Sequence, residues 1–439
     1  VRIPAAGLLA LASALLVAAP AMAADYPEPS NPGKVQTKPK GPFSTLKVGK
    51  SAKYKTIQSA VDKAKPGDTI RIADGTYRES VKVTGPSKRY VKIIGNPANP
   101  GKVVIDLKGL PAAKAQNGLT VNGADQVTVQ GLTATHYKGN GIFAINVNGY
   151  TFANLQAILG GVYGIYAFNS IGGTMRDSLA AWNNDGGYYI GQTPPQNKPV
   201  RTTATNLTSY GNVLGWSGTN MRYVTITKST FFNNGAGIVP NALTSEKYPP
   251  DEDNVISDND IFWNNFNYYA GAPFALRAAA GESTPYPVGV GVIIFGGRRN
   301  LVEGNRIFGN YGAGVAAVQQ ILLKEVDAQK LIGNQVKNNV FNAGGNDVNG
   351  RDILYDGDGS DNCFGPNEGV VSVLPADGST QPACPFTGAN AFSQDTQTEM
   401  INWALDATHT SFWIQHPHAP IAGLVPLETY ATYTGTKPK

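Results

Sequence analysis

With 439 residues, and 36 Lys and Arg against 31 Asp and Glu for a formal charge of +5, the chain is only mildly basic. Charged residues make up 15%, with 51 Gly and 29 Pro; this poverty in charge and wealth in turn formers excludes a long helical protein and suits many short strands joined by tight corners. The basic residues form no Lys/Arg run of nucleic-acid type, so no nucleic-acid partner is expected, whereas an acidic polymer is permitted.

Residues 1–24 read as a signal peptide, with Arg2 as a thin n-region, Leu8 to Ala19 apolar and Ala21-Met22-Ala23 as an A-x-A cleavage site. Its apolar stretch of about 14 residues is short against the roughly 20 of a membrane span. The expectation is therefore a secreted or extracellular chain that does not span a membrane after signal removal. Residues 25–46, punctuated by Pro27, Pro29, Pro32, Pro39 and Pro42, read as an extended Pro/Lys-rich linker.

The next stretch predicts a cap. Ile57, Ala60, Val61 and Ala64 fall at i, i+3, i+4 and i+7 and form one apolar stripe of a short helix that Pro66-Gly67 stops. Ile70 and Ile72, then Val81 and Val83, alternate at period two around the turn Asp74-Gly75-Thr76. From Val127 the chain repeats. Val127-Thr128-Val129 with Gly141-Ile142-Phe143-Ala144-Ile145-Asn146 recurs 23 residues on as Tyr150-Thr151-Phe152 with Gly164-Ile165-Tyr166-Ala167-Phe168-Asn169, and Gly187-Tyr188-Tyr189-Ile190 follows. A period of 22 to 23 with short β runs and no second helix predicts coils of a parallel solenoid. Asn183-Asn184, Asn233-Asn234, Asn264-Asn265 and Asn338-Asn339 are expected to stack at one corner as structural amides.

The words Tyr54-Lys55-Thr56-Ile57-Gln58-Ser59-Ala60-Val61-Asp62, Pro66-Gly67-Asp68-Thr69-Ile70 and Gly75-Thr76-Tyr77-Arg78-Glu79 resemble the opening segment of the pectin-lyase-like superfamily, and residues 125–365 resemble its NosD-like repeat group. The resemblance implies an all-β fold, a single-stranded right-handed parallel β-helix solenoid with an N-terminal helical cap. The solenoid is expected over 47–365, followed by a disulfide-stapled loop and a C-terminal segment packed on it over 366–439. The motifs of individual enzymes do not carry over. Arg306-Ile307 runs into Phe308 where polygalacturonases have Arg-Ile-Lys, Val292 and Ile293 stand where pectin methylesterases need Asp and Phe, and the Asp-Pro-His-Glu block of alginate epimerases is absent.

Period two sends Ile142, Ile165 and Tyr188 inward and lines up Phe143, Tyr166 and Tyr189 on the outer side. That column is either a sugar-stacking track or a satellite core covered by the insertions 192–201, 242–254 and 266–288. Asp185, Asp251, Glu252 and Arg277 are the candidate catalytic groups, and Lys198 and Arg201 join the aromatics as substrate-binding candidates. Two carboxylates about 5 to 9.5 Å apart would serve glycoside hydrolysis; a base with a cation beside it would serve β-elimination from a uronate. The plain reading of Asp251-Glu252-Asp253 is a solvated loop tip.

Asp356, Asp358 and Asp361 in Asp-Gly-Asp-Gly-Ser-Asp have the look of a Ca²⁺ loop, although the EF-hand pattern with its closing Glu is missing. Cys363 and Cys384, 21 apart in a Gly/Pro/Asp-rich region, are expected to pair as a disulfide in an exported chain. His136 stands alone in a coil corner, and His409, His416 and His418 sit near Trp403 and Trp413 in a docked tail. Two functions stay open: a polysaccharide lyase or glycoside hydrolase acting on an extracellular polymer, or a non-catalytic β-helix scaffold that binds glycan or protein. In either case the expected partner is a polysaccharide and the chain a monomer.

Overall fold

The computed structural model describes residues 32–268, 287–321, 323, 326–342 and 347–405. They fall into two compact units: one runs to Tyr210 and includes Arg222–Thr230, and the other holds Gly211–Met221 and the chain from Phe231 on. Both are stacks of parallel strands, so both bury near-continuous apolar runs.

The N-terminal unit opens with the helix Ile57–Lys63, whose Ile57, Ala60 and Val61 are buried. Thr56 caps it by accepting the Ser59 N–H at 3.2 Å, and the Glu79 carboxylate takes the free N–H groups of Ile57 and Gln58 at 2.7 and 2.9 Å. Negative charge at the first turn thus satisfies donors that the helix cannot. The strand Thr45–Val48 pairs in parallel with Thr69–Ile72, and that with Lys92–Ile94. The ladder continues through Val127–Thr135, Tyr150–Gly160, Thr174–Asn183 and Thr202–Tyr210 to Val224–Thr227. The second strand of each coil runs through Val81–Thr84, Leu119–Asn122, Ile142–Ile145, Ile165–Phe168 and Gly186–Gly191. Ile142, Ile165 and Tyr188 share one register column and Phe143, Tyr166 and Tyr189 the next, as the 23-residue shift predicts. Left-handed corners recur at the same interval, at His136, Leu159 and Trp182 with φ of 58°, 57° and 58°.

The stretch expected to be a linker is anchored where it is described. Gly33 N–H donates to Asn148 Oδ1 at 2.7 Å, Gln36 N–H to Asp125 Oδ2 at 2.8 Å and Gln36 Nε2 to the Gly123 carbonyl at 3.0 Å. Proline keeps this strap extended, and coil-corner acceptors hold it.

In the C-terminal unit one sheet runs through Leu214–Thr219, Ala236–Asn241, Val290–Phe295, Ala313–Val318, Ile353–Tyr355 and Val373–Leu374. Asparagines stack along this unit in three ladders rather than at one corner. Asn212, Asn234, Asn264, Asn310 and Asn349 form one; Asn254, Asn300, Asn334, Asn362 and Asn390 share a second; Asn259, Asn305, Asn339 and Asn367 make the third. Asn339 therefore belongs to a different corner from Asn234 and Asn264. Each amide hydrogen-bonds to the coil above or below, which pairs corner backbone that no strand can reach. Phe232, Phe262 and Phe308 stack beside them at 5.5 and 4.9 Å.

Cys363 and Cys384 form the expected disulfide. The helix Gln394–Leu405 docks on the coils through Met400, 7% exposed, and through Trp403. No helix among the described residues is long and apolar enough to cross a membrane. His409, Trp413, His416 and His418 lie outside the described residues, as does the stretch 1–24 that is expected to be a signal peptide.

Candidate functional site

The aromatic column is closed to solvent. Phe143, Tyr166 and Tyr189 are 2, 6 and 1% exposed; Phe143 stacks on Tyr166 at 4.4 Å, Tyr166 meets Tyr189 edge-on at 4.7 Å, and Tyr163 packs against both tyrosines at 4.9 and 4.5 Å. This packing is what the satellite-core reading expects of the column. Asp185 is buried at 4% just before Gly186–Gly191, while Lys198 and Arg201 are exposed, Arg201 reaching Thr225 Oγ1 at 3.5 Å.

In the C-terminal unit Asp251 is fully buried and accepts a 2.9 Å hydrogen bond from Asn300 Nδ2. Glu252 and Asp253 accept the Arg299 guanidinium at 2.8 and 2.7 Å, and Glu252 bridges Arg298 in the backbone. These three residues are thus stitched to the next coil and are not a solvated tip. Arg277 lies outside the described residues.

The acidic loop does not fit a calcium ion. Asp356 accepts N–H groups of Gln319 and Asp358 at 2.8 and 3.1 Å and of the Gln397 side chain at 3.2 Å; Asp358 accepts the Leu331 amide at 3.1 Å, and Asp361 the Gly388 amide at 2.8 Å. These carboxylate oxygens point at protein donors, where a cation would need them converging on one point. Among the described residues no three acidic, His or Cys side chains gather as a metal site.

A different cluster emerges on the N-terminal unit. Asp106 ends the strand Val103–Asp106, and the register Asp106↔Thr135 brings it beside His136 at the left-handed corner. His136 is not alone: its Nδ1 lies 2.9 Å from Asp106 Oδ1 and 3.2 Å from Thr135 Oγ1. Arg78 Nη2 sits 3.6 Å from Asp106 Oδ2, and Arg78 Nη1 donates to the Lys108 carbonyl at 2.9 Å. Burial of the Asp106 carboxyl opposes its charge, but the Lys108 amide, the His136 ring and the Arg78 guanidinium outweigh that and hold its pKa below the usual carboxylate range. An ionised Asp106 fixes the proton of a neutral imidazole on Nδ1 and leaves Nε2 as the basic nitrogen. Nε2 makes no hydrogen bond among the described residues, and the His136 side chain is 34% exposed. The same corner column carries Leu159 and Trp182 on the following coils, both half-buried, with Trp182 edge-on to Tyr210 at 5.6 Å.

A base, its orienting carboxylate and a guanidinium therefore meet at one partly exposed corner. Sequence reading singled out His136 but had no means to pair it with Asp106, 30 residues earlier, because that coil departs from the 23-residue period.

No family model and no curated protein matches the chain. Solved structures do. The A-module of the Azotobacter vinelandii mannuronan C-5 epimerase AlgE4 is similar at a TM-score of 0.50 and 15% identity, over 77% of this chain and 94% of that one. The A-module of the AlgE6 epimerase of the same organism gives 0.47 and 17% over 72% and 91%, and pectate lyase Pel9A gives 0.43 and 17% over 93% and 89%. The chain is a right-handed parallel β-helix. At such identities the likeness is one of fold, and a β-helix hosts many unrelated sites. This β-helix also lacks the Asp-Pro-His-Glu block, so no epimerase residue is transferred to it.

Proposed function

We propose that this β-helix is a secreted enzyme that acts on an extracellular polysaccharide, with His136 as its base. The observation that carries the reading is the 2.9 Å contact between Asp106 and His136 Nδ1. It leaves Nε2 to take a proton, and Arg78, 3.6 Å from Asp106, would supply the cation that a sugar carboxylate needs. The reaction that suits these groups is β-elimination. Nε2 removes the proton from the carbon next to the uronate carboxylate, that electron pair forms a double bond to the neighbouring ring carbon, and the bond from that ring carbon to the linking oxygen breaks, the oxygen staying on the other sugar. The departing oxygen then takes a proton from the imidazolium or from water.

Hydrolysis is the weaker fit, since Glu252 is held by Arg299 and Asp251 is buried against Asn300, and a pair of working carboxylates needs one of them free to meet the sugar. The disulfide supports secretion, because such bonds persist in oxidising compartments. The test is absorbance at 235 nm, which reads unsaturated uronate ends, on acidic polysaccharides with wild-type protein and His136→Ala. Reducing ends without 235 nm absorbance would replace lyase by hydrolase, and no turnover of acidic or neutral polymers would leave the non-catalytic glycan-binding scaffold.

A further inference from the structure

The overall charge of +5 hides two opposite charges. The unit of Pro27–Tyr210 with Arg222–Thr230 carries 24 Lys and Arg against 9 Asp and Glu, a formal +15, whereas the remainder carries 12 against 22, a formal −10. Self-repulsion on that scale is costly to a fold, and a binding partner of opposite sign relieves it.

Part of the basic excess stands on one ordered surface. In the larger sheet of the N-terminal unit, Lys92 occupies a register column otherwise made of threonines, from Thr45 at one end to Thr225 at the other. The neighbouring column runs from Lys47 and Arg71 through Ile94, Gln130 and Ala153 to Arg176, so its cations stand at its two ends. The residues between the two columns, such as Leu46, Ile70, Ile93 and Val129, are buried, so by alternation both columns lie on the outer side, where Ile94 and Ala153 are covered. Lys47, Arg71 and Lys92 are exposed. Neither column contains an acid or an aromatic residue.

We propose that this outer sheet face is a docking surface for an acidic polysaccharide. The proposal rests on the reading above only in taking the ligand to be a glycan. Successive coils repeat a hydroxyl about every 4.8 Å, which suits a polymer of hydroxyls lying along the stack, and the cations at one end match its carboxylates. Single-stranded nucleic acid would want aromatic platforms for its bases, and a stable protein partner would want an apolar or aromatic centre. These two columns hold no aromatic residue, and their apolar members, Ile94 and Ala153, are buried and offer no open apolar centre.

The experiment measures binding of wild-type protein and of Lys47→Glu/Arg71→Glu/Lys92→Glu to polygalacturonate, alginate, the neutral glucan laminarin and a DNA fragment, at 50 and 200 mM NaCl. The expected result is binding of at least one acidic polysaccharide, weaker in the higher salt, at least tenfold weaker in the triple variant, and stronger than binding to laminarin or DNA. The milder Lys47→Gln/Arg71→Gln/Lys92→Gln variant should fall between, and a melting curve confirms that each variant is folded. Undiminished binding by the folded triple variant, equal binding of laminarin, preference for DNA, or no binding of either acidic polymer overturns the proposal. The two readings separate: turnover lost in His136→Ala with normal binding by the triple variant keeps the enzyme and removes the docking face. Binding lost in the triple variant of a protein without turnover does the reverse.

Discussion

The Trp403 indole donates its Nε1–H to the Val288 carbonyl at 2.7 Å, and the ring lies over Gly312, where a Cβ would come within 2.8 Å of that nitrogen. The C-terminal helix is thus keyed into a slot that only glycine leaves open. Gln397 reaches Asp356 on the same helix face, and Glu399 pairs with Arg351 at 3.7 Å. Gly312→Ala should force the indole out at a cost of about 1–3 kcal/mol. Limited proteolysis should then cut within Gln394–Leu405 faster than in wild type, while the coils stay resistant. Unchanged cleavage would show that the helix is held by something other than this slot.

Docking of that helix should also depend on pH. Burial, with Asp358 nearby, pushes the Asp356 carboxyl up to about 6 in spite of the amides it accepts. An acid whose pKa is raised by folding binds its proton more tightly in the native state, so stability falls as pH rises from the unfolded value of about 4 towards 6 and is flat above. Asp106 has the opposite sign: its lowered pKa contributes stability that is present above about pH 4 and lost as pH falls through its native value. Thermal melts between pH 4 and 7 should show the decline, and Asp356→Asn should lessen it, since burial also raises the Glu79, Asp125 and Asp358 carboxyls. An equal slope in the variant would remove Asp356 as its cause.

Asn305 is fully buried in the middle of its ladder: its Nδ2 donates to Asn339 Oδ1 and the Ile256 carbonyl, both at 2.9 Å, and its Oδ1 accepts from Asn259. Asn305→Ala strands several polar groups away from water, so a loss of about 3 kcal/mol or more is expected in chemical denaturation. Asn367→Ala, at the half-exposed end of the same ladder, should cost less.

The strap gives a graded pair. Gln36→Ala removes side-chain bonds at a partly exposed place and should cost about 1 kcal/mol, whereas Asp125→Ala leaves the Gln36 and Asn148 amides without their shared acceptor and should cost about 1–3 kcal/mol. No loss in Gln36→Ala would mean that the strap lies loose in solution.

The coil register was legible in the sequence because the Gly-Ile-x-Ala-x-Asn words repeat without insertion, and Phe143, Tyr166 and Tyr189 stand where that shift puts them. Their burial was not legible, since a strand covered on both faces and one stacked with open aromatics show the same residues. The three corners of the C-terminal coils were written as Asn at intervals of five, at 254, 259 and 264 and again at 300, 305 and 310. Attention to Asn-Asn pairs alone obscured them. The Asp106–His136 contact depends on the length of one early coil, and the split in charge disappears when it is averaged over the chain.

The most direct test of the central claim follows the 235 nm absorbance of acidic polysaccharide incubated with wild-type protein, His136→Ala and Asp106→Asn. The account predicts turnover by wild type, a loss of about 10²–10⁴-fold in His136→Ala as the base is removed, and a smaller loss in Asp106→Asn, whose amide no longer holds the ring by charge. Turnover by His136→Ala at the wild-type rate, with the fold intact, would contradict it.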